Sequence, residues 1–232
     1  MGVNRRFHMS FNVAIDGPAG AGKSTIAKMV AKDKSFIYVD SGAMYRGMGV
    51  YFQKNGIDPA DEEKISESCK GADITISYSA DGVQQVFLNG ENITSMLRTE
   101  EIGQIASVTS AYPAVRNHLL DLQRNLAASC NVIMDGRDIG TTILPNADVK
   151  IYLTASSFVR AQRRADELRE KGEECDFDEI LKGIEERDYR DMHRETSPLK
   201  KAEDAIELDS SYLGIREVCD WILAVINAKY KD

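Results

Sequence analysis

Long apolar runs are missing from this chain of 232 residues, and none approaches the length needed to cross a bilayer. The first ten residues, Met1-Gly2-Val3-Asn4-Arg5-Arg6-Phe7-His8-Met9-Ser10, lack the apolar centre of a secretory signal. Arg5-Arg6 alone is no twin-arginine signal, and Met9 would also serve as a start. Residues 1–10 therefore read as an N-terminal extension, the location as cytoplasmic, and a membrane partner is not expected. Basic excess is missing too: 29 Lys and Arg stand against 37 Asp and Glu, a net charge of −8. That argues against a dedicated nucleic-acid binder, which carries a basic surface. The four cysteines (Cys69, Cys130, Cys175, Cys219) are scattered, without C-x-x-C or Cys/His ligand spacing, as expected of free thiols in a reducing compartment. Neither repeats nor low-complexity tracts occur, and the sequon Asn92-Ile93-Thr94 means nothing in a cytosolic chain. What remains is ordinary: 43% hydrophobic and 28% charged residues, enough for one large domain or a core with an insert.

Against that background one motif stands out. Gly17-Pro18-Ala19-Gly20-Ala21-Gly22-Lys23-Ser24, followed by Thr25, fits G-x-x-x-x-G-K-[ST]. An apolar run at 11–16 precedes it and a helical pattern at 26–32 follows. A strand end then aims the loop, and the helix N-terminus behind it offers unpaired N–H groups and a positive dipole end to an anion. Lys23 is placed to reach the β/γ-phosphates of a nucleotide, and the Ser24 hydroxyl to meet Mg²⁺. A plain glycine-rich turn would account for the glycines but not for Lys-Ser at that offset.

The rest of the chain alternates strand and helix. Strands are expected at 11–16, 35–40, 132–135, 149–153 and 205–209, with helices between them and a closing helix at 215–229 that carries Trp221 on its apolar side. This is the pattern of a parallel sheet with helices on both faces, whose ligands sit at the carboxyl ends of the strands. Asp16, Asp40 and Asp135 all fall there. At 73–79 and 83–89 the period changes to two, around an Asp81-Gly82 turn, so an inserted antiparallel hairpin is expected. Helices follow at about 100–110 and 114–128.

Arginines cluster at helical spacing: Arg160, Arg163 and Arg164 on one stripe, Arg187, Arg190 and Arg194 on another. Interleaved Glu167, Glu170, Glu185, Glu186, Asp188 and Asp191 would by themselves make these solvated, ion-paired faces. Together with the phosphate loop they favour a different reading. Phosphoryl transfer between two anions needs cations over both, and a mobile helical hairpin would also exclude water.

Three further segments carry a specific resemblance. Asp40-Ser41-Gly42-Ala43-Met44-Tyr45-Arg46, Asp135-Gly136-Arg137-Asp138-Ile139-Gly140-Thr141 and Glu186-Arg187-Asp188-Tyr189-Arg190-Asp191 resemble the motifs of bacterial-type cytidylate kinases, in order and spacing, from about residue 11 to 229. The extension at 1–10, and Ser24 where some members carry Gly, are the departures. The resemblance implies an α/β fold: a P-loop three-layer α/β/α core with a five-stranded parallel sheet, a helical lid and a small antiparallel β insert in the acceptor-binding domain. It implies a core at 11–40 and 129–232 with the lid at about 156–194. It places a nucleoside monophosphate-binding domain at 41–128, with the insert at about 73–95. The implied reaction moves the γ-phosphoryl group of ATP to CMP or dCMP. ATP with Mg²⁺ would sit on Gly17, Pro18, Ala19, Gly20, Ala21, Gly22, Lys23, Ser24 and Thr25, with Ser24 meeting the metal. Arg46, Arg137 and Arg194, with Asp40 and Ser41 nearby, would take the acceptor phosphate; Ser107, Arg116 and Asp138 the cytosine; Arg187 and Asp191 the sugar; and Arg163 would bear on ATP. Lys23, Arg137, Arg163, Arg187 and Arg194 would be the catalytic cations.

The base assignment has a chemical logic of its own, since Asp138 can accept from the cytosine amine while Arg116 and Ser107 donate to N3 and O2. Asp40 and Asp135 are the carboxylates to consider near Mg²⁺, with capping or pairing to local arginines as the equal alternative. His8, His118 and His193 receive no role. The competing readings are a P-loop kinase of another small metabolite or nucleoside monophosphate, and a nucleotide switch, which would carry an N-K-x-D motif that this chain lacks. With no apolar heptad in evidence, a monomer is expected.

Overall fold

A computed structural model describes residues 10–230; the expected extension up to Met9, and His8 with it, lies outside the described residues. The central sheet is parallel, in the order β2-β6-β1-β7-β8. Its strands are β1 (Asn12–Asp16), β2 (Ile37–Asp40), β6 (Val132–Gly136), β7 (Val149–Thr154) and β8 (Ile206–Asp209). β1 lies between β6 and β7. The chain thus leaves β1 toward one side of the sheet and later returns past it to the other, and that reversal opens a crevice at the carboxyl ends.

Alternation along each strand separates two cores. Val13, Ile15, Ile133 and Ile151 face α1 (Lys23–Lys34) and α8 (Ile215–Lys229), packing on Ile26, Val30, Val218 and Ile222. Ala14, Val39, Val132 and Met134 face the other way, into a cluster with α2 (Ser41–Lys54), α4 (Glu100–Thr109) and α5 (Pro113–Ser129). Both faces are covered, which is why these strands read as continuous apolar runs.

The second cluster runs unbroken into the antiparallel insert, through Ile74, Val86 and Leu88. The expected hairpin is β3 (Ile74–Tyr78) and β4 (Gln84–Leu88), and a third short strand, β5 (Glu91–Asn92), extends it. The chain reverses at Asn89 and Gly90, both at positive φ, where the expected return strand ends, and β5 falls within the expected insert at about 73–95. α3 (Glu62–Ser68) sends Ile65 into the same cluster. The segment expected as the lid is a helical pair, α6 (Ser157–Glu170) and α7 (Phe177–His193), with Gly172 at the turn, φ 77°.

One glycine of the phosphate loop serves packing. A Cβ on Gly17 would stand 1.9 Å from the carbonyl oxygen of Leu153 in β7. Gly17→Ala must therefore push the loop off the sheet. Its expected cost is above about 2 kcal/mol, and thermal melting should show a fall of about 5 °C or more. Melting alongside the wild type would mean that the loop gives way freely there.

Candidate active site

A single cleft of about 1020 Å³ lies across the carboxyl ends of the strands. It gathers nearly every residue that the sequence marks. Ala19 to Thr25 line one end, with Arg163; Asp40, Ser41, Arg46, Ser107, Arg116, Arg137, Asp138, Arg187, Asp191 and Arg194 line the other. Gly17 and Pro18 do not line it: the first backs onto β7 and the second turns its carbonyl to Lys23.

The loop end is built for an anion. Gly20 and Gly22 hold φ of 77° and 85°, and Gly22 caps α1 with no side-chain bond, leaving helix N–H groups for a ligand. A Cβ on Gly22 would meet no atom within 4 Å, so this glycine answers to φ and to close backbone approach. Lys23 is buried and its Nζ donates to the Pro18 carbonyl at 2.7 Å. Burial first, then the Arg137 charge, brings its ammonium down to about 7. The Ser24 hydroxyl donates to Asp135 at 2.8 Å, and the Tyr38 hydroxyl donates to the other oxygen of Asp135 at 2.8 Å. Burial, then the Asp40 charge, raises the carboxyl of Asp135.

Asp16 has a different task. Its carboxylate accepts the backbone N–H groups of Ile139 and Gly140, each at 2.7 Å. These open a single π-helical turn, Ile139–Ile143, that sequence reading did not foresee. Asp16 thereby pins the segment just behind Asp138, and burial pushes its own carboxyl up to about 6.

At the acceptor end, cations outnumber their partners. Asp40 caps α2 through the N–H of Ala43 and pairs with Arg46 at 2.9 Å. Ser41 gives its hydroxyl to the Asp135 carbonyl at 2.6 Å. Arg137 pairs through Nε with Asp191 at 2.9 Å. Burial works against the charged form of Asp191, yet Arg137, Arg187 and Arg194 outweigh it and hold the carboxyl below the usual range. Burial, then repulsion from Arg137, lowers Arg187 to about 10. Asp138 sits between Arg116, which bonds it directly, and Arg194 at 3.6 Å. Arg116 also lies over the Tyr45 ring, 5.4 Å from its centre. Four buried polar atoms here have no hydrogen-bond partner: Arg46 Nε, Ser107 Oγ, Arg187 Nε and the terminal nitrogen of Arg194 that stands 3.6 Å from Asp138. Buried donors are normally satisfied, and four unsatisfied atoms on residues that line one cleft leave capacity for a polar ligand.

Sequence reasoning grouped Arg160 with Arg163 and Arg164 but gave it no role of its own. Its side chain is only 4% exposed. It donates to the carbonyls of Ala155 and Ala19, both at 2.9 Å, and forks onto Asp188 of the lid. Arg163 reaches the Ser210 carbonyl at 2.7 Å. His118 and His193 bond main-chain carbonyls of Ala72 and Tyr189.

The family model described as Cytidylate kinase matches residues 13–228. The chain belongs to the cytidylate kinase family. A cytidylate kinase from Bacillus subtilis is 46% identical over 218 residues, which is 94% of this chain and 97% of that protein. One from Caldicellulosiruptor bescii is 50% identical over 221 residues, 95% of this chain and 97% of the relative. Among solved structures, an uncharacterized protein from Eubacterium ventriosum aligns with a TM-score of 0.51 at 13% identity, covering 94% of this chain and 99% of the other; it supports the fold alone. No described helix is long and apolar enough to cross a membrane.

Proposed function

We infer that the cleft binds ATP at its loop end and CMP or dCMP at its arginine end, with the two phosphate tails meeting between Lys23 and Arg137. The chain is a (d)CMP kinase: it moves the γ-phosphoryl group of ATP to the acceptor phosphate, giving ADP and CDP or dCDP. One observation supports the placement above all others: Arg46, Ser107, Arg187 and Arg194, each with a buried polar atom that lacks a hydrogen-bond partner, line the same hollow as the glycine-rich loop.

No protein nucleophile is required. An oxygen of the acceptor phosphate attacks the γ-phosphorus, and the protein supplies alignment and positive charge. Lys23 leaves the Pro18 carbonyl for the β/γ-phosphates. Arg46, Arg137 and Arg194, beside Ser41, grip the acceptor phosphate. Arg187 and Asp191 hold the sugar, Arg163 bears on the ATP phosphates, and residues 41–128 act as the acceptor-binding part. Ser107, Arg116 and Asp138 read the base. Among the described residues no cluster of three His, Cys, Asp or Glu side chains forms a metal site by itself. The Ser24 hydroxyl and the Asp135 carboxylate are nonetheless both hard oxygen donors, 2.8 Å apart, which suits a Mg²⁺ that arrives with ATP and takes its remaining oxygens from phosphate and water. Bound there, Mg²⁺ would neutralise charge on the phosphates. One chain supplies the whole cleft and the net charge is −8, which supports a monomer acting on free nucleotides in the cytoplasm, not on nucleic acid, as the reading of the sequence expects.

The state of Lys23 gives a test. Without ligand, burial and the Arg137 charge work against its ammonium and bring it down to about 7. A triphosphate beside it favours the charged form, so binding must take up protons. Calorimetric titration with ATP at pH 8, run in two buffers of different ionisation enthalpy, should show a buffer-dependent heat that corresponds to net uptake. Equal heats in both buffers would place the triphosphate away from Lys23.

A further inference from the structure

The insert touches the catalytic sheet through two polar side chains. Inward positions of the hairpin are Ile74, Ile76 and Tyr78 on β3, paired with Leu88, Val86 and Gln84 on β4. The apolar part of that face packs on α2: a Cβ on Gly47 would meet Ile74 at 3.1 Å and Val86 at 3.3 Å. The polar part meets β2, the edge strand of the parallel sheet. There the Tyr78 hydroxyl donates to the Tyr38 carbonyl at 3.1 Å. Gln84 makes two bonds to one residue: its Oε1 accepts the Asp40 N–H at 2.8 Å, and its Nε2 donates to the Asp40 carbonyl at 3.2 Å. One amide thus mimics a rung of a further strand and occupies edge groups that would otherwise stay open.

Asp40 is where this matters. Its side chain accepts the N–H of Ala43 at 2.9 Å and the Arg46 guanidinium at 2.9 Å. The Nε of Arg46 is one of the unpartnered donors of the cleft. Gln84 therefore holds the backbone of the residue whose carboxylate holds Arg46. We propose that Gln84 is a positioning residue for the acceptor phosphate: its amide clasp on Asp40 fixes the angle at which Arg46 enters the cleft and so ties the insert to acceptor binding. Tyr78 bonds the same edge one rung earlier, at a carbonyl with no such path to Arg46, and fastens the insert without aiming anything.

The inference rests on CMP being the acceptor, so wild-type turnover of CMP is measured first and stands or falls separately. Gln84→Leu keeps the bulk and removes both bonds. The expected result is a threefold to tenfold rise in KM for CMP, with KM for ATP and kcat each within twofold of the wild type. Tyr78→Phe should leave KM for CMP within twofold. If Gln84→Leu fails to fold, Gln84→Ala, which adds no new contact, should give the same split. An unchanged KM for CMP in a folded Gln84 variant overturns the proposal. So does an equal rise in Tyr78→Phe, which would mean that any loosening of the insert has this effect.

Discussion

Arg137→Ala is expected to lower kcat on the order of a thousandfold while the protein still folds. In this variant the cleft loses a guanidinium that acts on both ends: it bonds Asp191 at 2.9 Å and the Gly136 carbonyl at 3.3 Å, and, after burial, its charge is the next largest cause that lowers Lys23 and Arg187. A cation aimed at charge that spreads over transferring phosphoryl oxygens is worth about 10² to 10⁵ in rate. The fold should tolerate the loss. Arg137 is 21% exposed at its side chain, and Asp191 keeps Arg187 and Arg194 as neighbours. Arg137→Lys should recover only part of the rate, since an ammonium brings charge without the planar fork. Single-turnover kinetics with circular dichroism on the same samples checks both halves. Turnover like the wild type in Arg137→Ala would remove this residue from the chemistry.

Substitution of Asp138 is the second large effect, and it concerns choice more than rate. Asp138 is 3% exposed and held between two guanidinium groups, Arg116 and Arg194. It is therefore acceptor-only, aligned, and suited to the amine of cytosine. Uracil turns a carbonyl oxygen to the same place, and the loss of that hydrogen bond, with one acceptor left facing another, costs about 1–3 kcal/mol. Asp138→Ala should narrow the preference for CMP over UMP in kcat/KM by at least tenfold, mostly through loss on CMP. Asp138→Asn should narrow it further, because an amide can turn its NH₂ toward uracil. An unchanged ratio in both would mean that cytosine is read elsewhere.

Where local chemistry and periodicity agreed, the sequence was legible. The loop from Gly17 to Ser24, the five parallel strands and the paired Arg-bearing helices were all read from residues alone, because alternation, glycine spacing and the strand-end carboxylates each have one ready physical meaning. The resemblance added which anion stands opposite the loop. The illegible features were those made by distant partners. Arg160 carries the same pattern as any solvated helix stripe, and only the meeting of α6, the Ala19 carbonyl and Asp188 turns it inward. The π-helical turn at Ile139–Ile143 exists because Asp16, more than a hundred residues earlier, collects two of its N–H groups. Gly17 read as a phosphate-cradling glycine, yet the carbonyl of Leu153 decides it. Gln84 did leave a trace: a polar residue at an inward position of an alternating strand, next to Val86 and Leu88, calls for a partner, and β2 supplies one.

Two polyanions meeting end to end in the cleft, one on main-chain amides and one among guanidinium groups with a carboxylate that tells cytosine from uracil, is the central claim. A coupled assay of ADP release, run with ATP and Mg²⁺ over CMP, dCMP, UMP, AMP and GMP at equal concentration, tests it most directly. The account predicts rapid turnover with CMP and dCMP, slower turnover with UMP, and none above background with AMP or GMP. Turnover of a purine monophosphate at the rate of CMP, or no turnover of CMP at all, would contradict it.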